Sequence, residues 1–265
     1  MKATKPLWAT LITIAFLIAA VFGGIYLTAP LSDPANPVTG LYSSVATTLI
    51  ALALVFGWRR FVTRQPWQGM SMPLTWAALP QALLGVAVGT VAILASNSLS
   101  VAFGAASWVP PEARSELVGY FPLTLAIVVL SVGFPDEVLF RGHLYGTLPA
   151  RLALPVTTVA FGALHLISFG SEASEVVEGV LYVVSGVALG FACGAARART
   201  GTVWMAVGVH TGTLIAFRLF ATEGVVYGVQ LAIQIATLAL TGLLILATAR
   251  RSALWNRTGT EARNG

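Results

Sequence analysis

Few side chains in this chain can ionise, and the ones inside apolar sequence are spaced in an ordered way. In the string SVGFPDEVLFRGHLYG, Asp136 and Glu137 are adjacent and Arg141 follows Glu137 by four residues. On a helix that spacing puts the guanidinium and the Glu137 carboxylate on one face. In VAFGALHLIS, Phe161 and His165 are again four apart, and in VGVHTGTLIAF His210 is followed at the same distance by Leu214. Two carboxylates and two imidazoles are the materials of a hydrolytic centre. A carboxylate can accept a proton from water, and an arginine can hold a carboxylate in place by charge-assisted hydrogen bonds. Asp136, Glu137, His165 and His210 equally compose a candidate zinc set, because two His with a carboxylate is a known catalytic coordination. Plainer readings stand beside these: Glu137 with Arg141 as a packing ion pair, and each His as an interhelical hydrogen-bonding group.

Such groups are costly in hydrocarbon, so the elements around them decide what they mean. Of the 265 residues 57% are apolar and 9% charged, with a mean hydropathy of +0.83. A soluble domain is roughly half apolar and a quarter charged. The composition excludes a soluble enzyme, a disordered tail and a nucleic-acid module; the net charge of +5 is that of a membrane protein with basic cytoplasmic loops. Eight apolar stretches, Leu7–Leu27, Leu41–Trp58, Leu79–Phe103, Leu117–Phe134, Leu152–Ser168, Val176–Ala196, Val203–Phe220 and Val225–Ala249, are each near the ~20 residues that span a bilayer. The expected fold is all-α: a polytopic helix bundle of about eight transmembrane helices in the cell membrane. The first stretch is too long for a signal peptide and has no small-x-small cleavage site, so it is read as a retained helix.

Charge placement sets an orientation. With the N-terminus cytoplasmic, 13 of the 15 basic residues fall inside, all but Arg114 and Arg218. Asp33, Glu112, Glu116, Glu172, Glu175, Glu178 and Glu223 fall on the opposite side, the alternation that the positive-inside rule requires. Both termini are then cytoplasmic, with one transmembrane domain over residues 1–250 and a frayed cytoplasmic tail over 251–265. Trp8, Trp58, Trp76, Trp108, Trp204 and Trp255 lie at stretch ends, as an aromatic belt does. The lone Cys193 is read as a packing residue, His143 as interfacial, Arg218 as structural, and Gln230 with Gln234 as glue between helices.

Depth tests whether the chemical groups can meet. A hairpin turning at Pro149 to Arg151 has residue 150.5 as its centre, and Asp136 and His165 are equidistant from it. They lie about 21 Å from that turn, and His210 lies about 15 Å from an entry near Thr200, at ~1.5 Å per residue. The difference is about one helical turn, so convergence in the inner half of the membrane is expected.

DEVLFR, FGALH and the turn after His210 together resemble the EExxxR, FxxxH and HxxxN signatures of the CAAX protease and bacteriocin-processing family of intramembrane proteases. The resemblance covers Leu117 to Phe220, and implies an endopeptidase acting near the cytoplasmic half of the membrane on a peptide or protein substrate, including lipid-modified ones. By resemblance, Asp136 holds and activates the attacking water, Glu137 and Arg141 complete the cluster, and His165 and His210 position water and the oxyanion. Two positions differ from the pattern: Asp136 stands where the family has Glu, and Leu214 where it has Asn. Loss of one oxyanion donor costs roughly 10² to 10³ in rate, with Thr211 or Thr213 as substitute donors. The competing classes are a weak or inactive scaffold or immunity-type relative and, further off, a secondary transporter. No inverted repeat supports the transporter.

Overall fold

The computed structural model describes residues 6–33, 36–110, 120–167 and 175–261, with side chains described to residue 248. Lys2, Lys5, Glu112, Arg114, Glu116 and Glu172, used above for orientation, lie outside the described residues, as do the side chains of Arg250, Arg251, Trp255, Arg257 and Arg263.

Helices occupy every one of the eight apolar stretches. They are α1 (Pro6–Thr28), α2 (Thr39–Gly57), α3 (Ala78–Ala102), α4 (Phe121–Thr147), α5 (Ala150–Leu166), α6 (Val176–Thr200), α7 (Trp204–Leu219) and α8 (Tyr227–Glu261). Six of them, α1 to α4, α6 and α8, are long and apolar enough to cross a membrane. The other two, α5 and α7, have 17 and 16 residues and fall short of that length. Large apolar side chains cover the exterior: Phe22, Leu49, Leu83, Val91, Val180 and Leu243 are all exposed. A surface of that kind is at home only against lipid, and the chain is a polytopic helical membrane protein.

Two elements extend past their apolar stretches. The fourth stretch ends at Phe134, before Pro135 and the charged run, and α4 continues to Thr147, as the hairpin turning at Pro149 requires, carrying those residues in its middle. Pro135 has no N–H to give to the preceding turn. The helix accommodates it by widening into π-helical turns at Val129–Gly133 and Val138–Leu144, on either side of the α-helical Phe134–Glu137. Such π turns recur at functional sites. The tail, expected to fray from residue 250, is helical to Glu261 as the continuation of α8.

The polar ends are tied in two groups. At one end, the linker after α2 meets the ends of α4 and α6: Arg197 Nη2 donates to Ser71 Oγ at 2.7 Å, and Trp204 Nε1 donates to the Pro73 carbonyl at 2.8 Å. Thr147 and Gln65 also approach there, at 3.5 Å. At the other end, Ser107–Trp108 (β1) pairs antiparallel with Thr222–Glu223 (β2), Ser107 opposite Glu223, joining the segment after α3 to the one after α7.

Between α3 and α7 the backbones almost touch. Gly85 and Gly89 face Gly208 and Gly212, and a Cβ on Gly85 or Gly208 would overlap the opposite main chain. Small residues four apart on two facing helices are the usual means of such close approach in a membrane. This interface fixes the depth and rotation of His210, which sits between the two glycines of α7. The buried core is otherwise built of α1, α2, α4 and α5 side chains on one flank and of small α6 and α7 residues, Ala192, Cys193, Ala196 and Ala206 among them, on the other.

Candidate active site

Glu137 is the centre of the cluster. Its side chain is 0% exposed, and Oε1 accepts from Arg141 Nη1 at 3.1 Å and is hydrogen-bonded with His210 Nδ1 at 3.0 Å. One carboxylate oxygen thus joins α4 to α7. Arg141, also 0% exposed, reaches on to α6, where Nη2 donates to the Gly190 carbonyl at 2.7 Å. Its guanidinium carbon lies 4.7 Å from the Phe161 ring centroid, bringing α5 into the same network by a cation–π contact.

Phe161 organises the imidazoles. Its ring centroid is 5.5 Å from that of His210, edge to face, and 5.7 Å from that of His165. The Phe161 carbonyl lies 3.4 Å from His165 Nδ1, and the His165 ring meets Tyr182 of α6 at 5.0 Å. Behind His165, Gly186 leaves the space: a Cβ there would overlap the imidazole. The four-residue Phe161 to His165 spacing therefore places both rings on the face of α5 turned toward α4, α6 and α7.

Asp136 has a different environment from its neighbour. It is 8% exposed, and among the described residues its carboxylate makes no hydrogen bond. It lines two cavities. One, of about 380 Å³, is bounded by Asp136, His165, His210, Leu214, Gln230 and Gln234 among others, and lies between α4, α5, α6, α7 and α8. The other, of about 210 Å³, lies toward α1, lined by Leu17, Val21 and Leu164. Asp136, Phe161, His165 and Tyr182 line both. A carboxylate without a protein partner, set between two cavities, is placed to hold water. Glu137 beneath it is closed off and engaged.

The five candidate residues thus come together in two layers. Glu137, Arg141 and His210 are directly bonded; Asp136 and His165 face the cavity that His210 also lines. Among the described residues, no three His, Cys, Asp or Glu side chains stand close enough to share a metal ion. Glu137 Oε1 is shared between Arg141 and His210 while Oε2 is buried without a partner, and on these separations the four described residues as arranged do not fit the zinc set that their types allow. Tyr182 and the Gly190 carbonyl are additions that spacing within α4, α5 or α7 does not reveal, since α6 supplies both. The small residues of that helix were the available signal.

Leu214 lines the larger cavity beside His210, half-buried. Neither neighbouring hydroxyl replaces the missing amide. Thr213 Oγ1 donates to the His210 carbonyl at 2.7 Å, and Thr211 Oγ1, buried without a partner against Gly133 of α4, does not line the cavity.

Residues 118–216 match a family model described as Rce1-like, type II CAAX prenyl endopeptidase Rce1-like. No curated protein matches the chain. The matched segment contains all of α4, α5 and α6 and most of α7, and with them Asp136, Glu137, Arg141, His165 and His210. Over this segment the chain is similar to the Rce1-like CAAX prenyl endopeptidases, in agreement with its three signatures.

Proposed function

We propose that the protein is an intramembrane endopeptidase that hydrolyses a peptide bond with a water activated by Asp136. The observation that carries this reading is the contrast between the two adjacent carboxylates. Asp136 is unpartnered and faces the cavities, while Glu137 is buried and bonded to Arg141 and His210. In the reaction, a water held by Asp136 and His165 gives a proton to the Asp136 carboxylate as its oxygen attacks the scissile carbonyl carbon. The carbonyl electron pair moves onto oxygen, toward the imidazole of His210. As the C–N bond breaks, the proton passes from Asp136 to the departing nitrogen, leaving a carboxylic acid and an amine and regenerating the Asp136 carboxylate. Glu137, Arg141 and Phe161 hold His210 and α4 in position without touching substrate.

The substrate class follows from the family and the setting: a peptide or protein carrying a lipid group near its scissile bond, reached from within the membrane. The chain crosses the cell membrane eight times as one domain over residues 1–250, α5 and α7 included, with both termini and the tail 251–265 cytoplasmic. The two tied groups of helix ends support this, since α3 and α7 finish together at one end and the ends of α4 and α6 gather at the other. A weak or non-catalytic membrane scaffold is the second reading, favoured by Leu214 at the position of the family's amide.

The test uses the detergent-purified protein and one peptide ending in a Cys-aliphatic-aliphatic-X sequence, with and without a farnesyl group on the cysteine. The expected outcome is cleavage of the farnesylated form, at least tenfold faster than of the unmodified one. Equal rates for both peptides would remove the lipid-modified substrate class. Cleavage of neither, by a protein that still melts cooperatively, would favour the scaffold.

A further inference from the structure

The larger cavity contains a polar side chain that no signature assigns. Gln230 and Gln234 both project from α8 into it, opposite Asp136, His165, His210 and Leu214. Their hydrogen bonding separates them. Gln230 Nε2 donates to Thr222 Oγ1 at 2.9 Å and approaches Asn97 Oδ1 at 3.5 Å, so both of its amide protons are committed to holding α8 against α3 and the β2 segment. The side-chain amide of Gln234 has no partner among the described residues; its carbonyl on the main chain alone is bonded, to Thr237. An amide in an apolar setting without a partner costs stability. One that faces a cavity containing a carboxylate and two imidazoles is available to whatever enters.

Two other hydroxyls around the cavity are spent. Ser185 Oγ donates to the Tyr182 carbonyl at 2.7 Å and Thr213 Oγ1 to the His210 carbonyl at 2.7 Å. Leu214, in the place of the signature's Asn, has nothing to donate. A cavity of about 380 Å³ is at the small end of the ~300 to 1,000 Å³ range of ligand sites, so a peptide group within it is close to every lining residue.

We propose that Gln234 is a further catalytic residue: its side-chain amide donates to the carbonyl oxygen of the scissile peptide and to the oxyanion that forms there, supplying from α8 the contact that Leu214 does not supply from α7. The proposal rests on the hydrolase reading given above. It places the oxyanion donor outside residues 118–216, on a helix that the family match does not reach. It also accounts for Leu214 in a cluster that keeps two carboxylates, the arginine and both imidazoles, because the donor has moved from one wall of the cavity to another.

The experiment compares wild type, Gln234→Leu, Gln234→Leu with Leu214→Asn, and Asp136→Asn. It measures kcat and KM on the farnesylated peptide, melting temperature, and binding of a peptidyl phosphonate of the same sequence, whose tetrahedral anionic oxygen imitates the intermediate. Gln234→Leu is expected to lower kcat about 10²-fold, the usual effect of losing one oxyanion donor, with KM and melting temperature near wild type. Phosphonate affinity should fall by about tenfold or more. Restoring an amide from the other wall by Leu214→Asn should recover at least tenfold in kcat, which a packing role for Gln234 would not allow. Full kcat in Gln234→Leu while Asp136→Asn is inactive would overturn the assignment of Gln234 and leave the hydrolase reading standing. A fall in kcat and melting temperature together, without rescue, would make Gln234 a packing residue. Unchanged cleavage in both single variants would remove Asp136 as well as Gln234 from the reaction, and a wild type that neither cleaves the peptide nor binds the phosphonate would overturn the hydrolase reading and this inference with it.

Discussion

Asp136 and Glu137 are neighbours in sequence with different surroundings, and the difference comes from one helical step. Glu137 points into the interior, where Arg141 and His210 share its Oε1; Asp136 points into the cavities. Removing one member of a buried ion pair leaves the other charge without compensation, at a cost of about 3 to 5 kcal/mol. Glu137→Ala is therefore expected to lower the melting temperature strongly along with activity. Asp136→Asn should abolish cleavage at a melting temperature near wild type. Thermal melts of the two variants beside wild type check this; equal destabilisation by both would mean that the two carboxylates are alike structural groups. The types and spacing of all five residues were legible in the sequence, as was their convergence. Their division into a bonded layer and a cavity-facing layer was not, because it depends on Arg141 bonding to the Gly190 carbonyl and on Phe161 lying under the guanidinium, contacts between helices that no single string encodes.

At the scale of elements, the eight apolar runs mark eight helices closely, because continuous apolar sequence in lipid must satisfy its backbone within the segment. The fourth apolar run stops at Phe134, before Pro135 and the charges, while the helix runs on to Thr147. The helix continues because π turns absorb the missing N–H and because the charges are neutralised inside the bundle. The glycine contacts were also unread, though Gly85 and Gly89, and Gly208 and Gly212, are each four apart. They hold α7, and so His210, against α3. A side chain forced into that contact has only backbone to displace. Gly208→Val should therefore cost about 3 kcal/mol or more by overpacking, seen as a large drop in melting temperature. Gly186→Ala is the contrasting case. Its methyl would meet the movable ring of His165, so kcat should fall by up to about 10²-fold through misplacement, with the fold retained. Wild-type kcat in Gly186→Ala would show that the position of His165 does not matter to turnover.

Across the whole molecule, the exposed apolar exterior and the tied helix ends describe a bundle with the candidate site between its helices, its cluster on α4, α5 and α7 and the proposed extra donor on α8. Charge alternation predicts which end faces the cytoplasm. Single cysteines at Asn36, Ser107 and Glu223, in a Cys193→Ala background, should be labelled by an impermeant reagent from outside the cell. Cysteines at Arg64 and Ala198 should be labelled only after permeabilisation. External labelling at Ala198 would invert the orientation, and mixed labelling of Ser107 and Glu223, which are joined through β1 and β2, would contradict the bundle itself.

The central claim is that Asp136 activates a water to hydrolyse a peptide bond. A single-turnover reaction of the purified protein with the farnesylated peptide in ¹⁸O-labelled water, followed by mass spectrometry of both products, tests it most directly. The account predicts cleavage at one peptide bond, one ¹⁸O atom in the newly formed carboxylate, and no product from Asp136→Asn in an equally folded state. Product formation by Asp136→Asn at the wild-type rate would contradict the role of Asp136, and intact peptide with the folded wild-type protein would contradict the hydrolase.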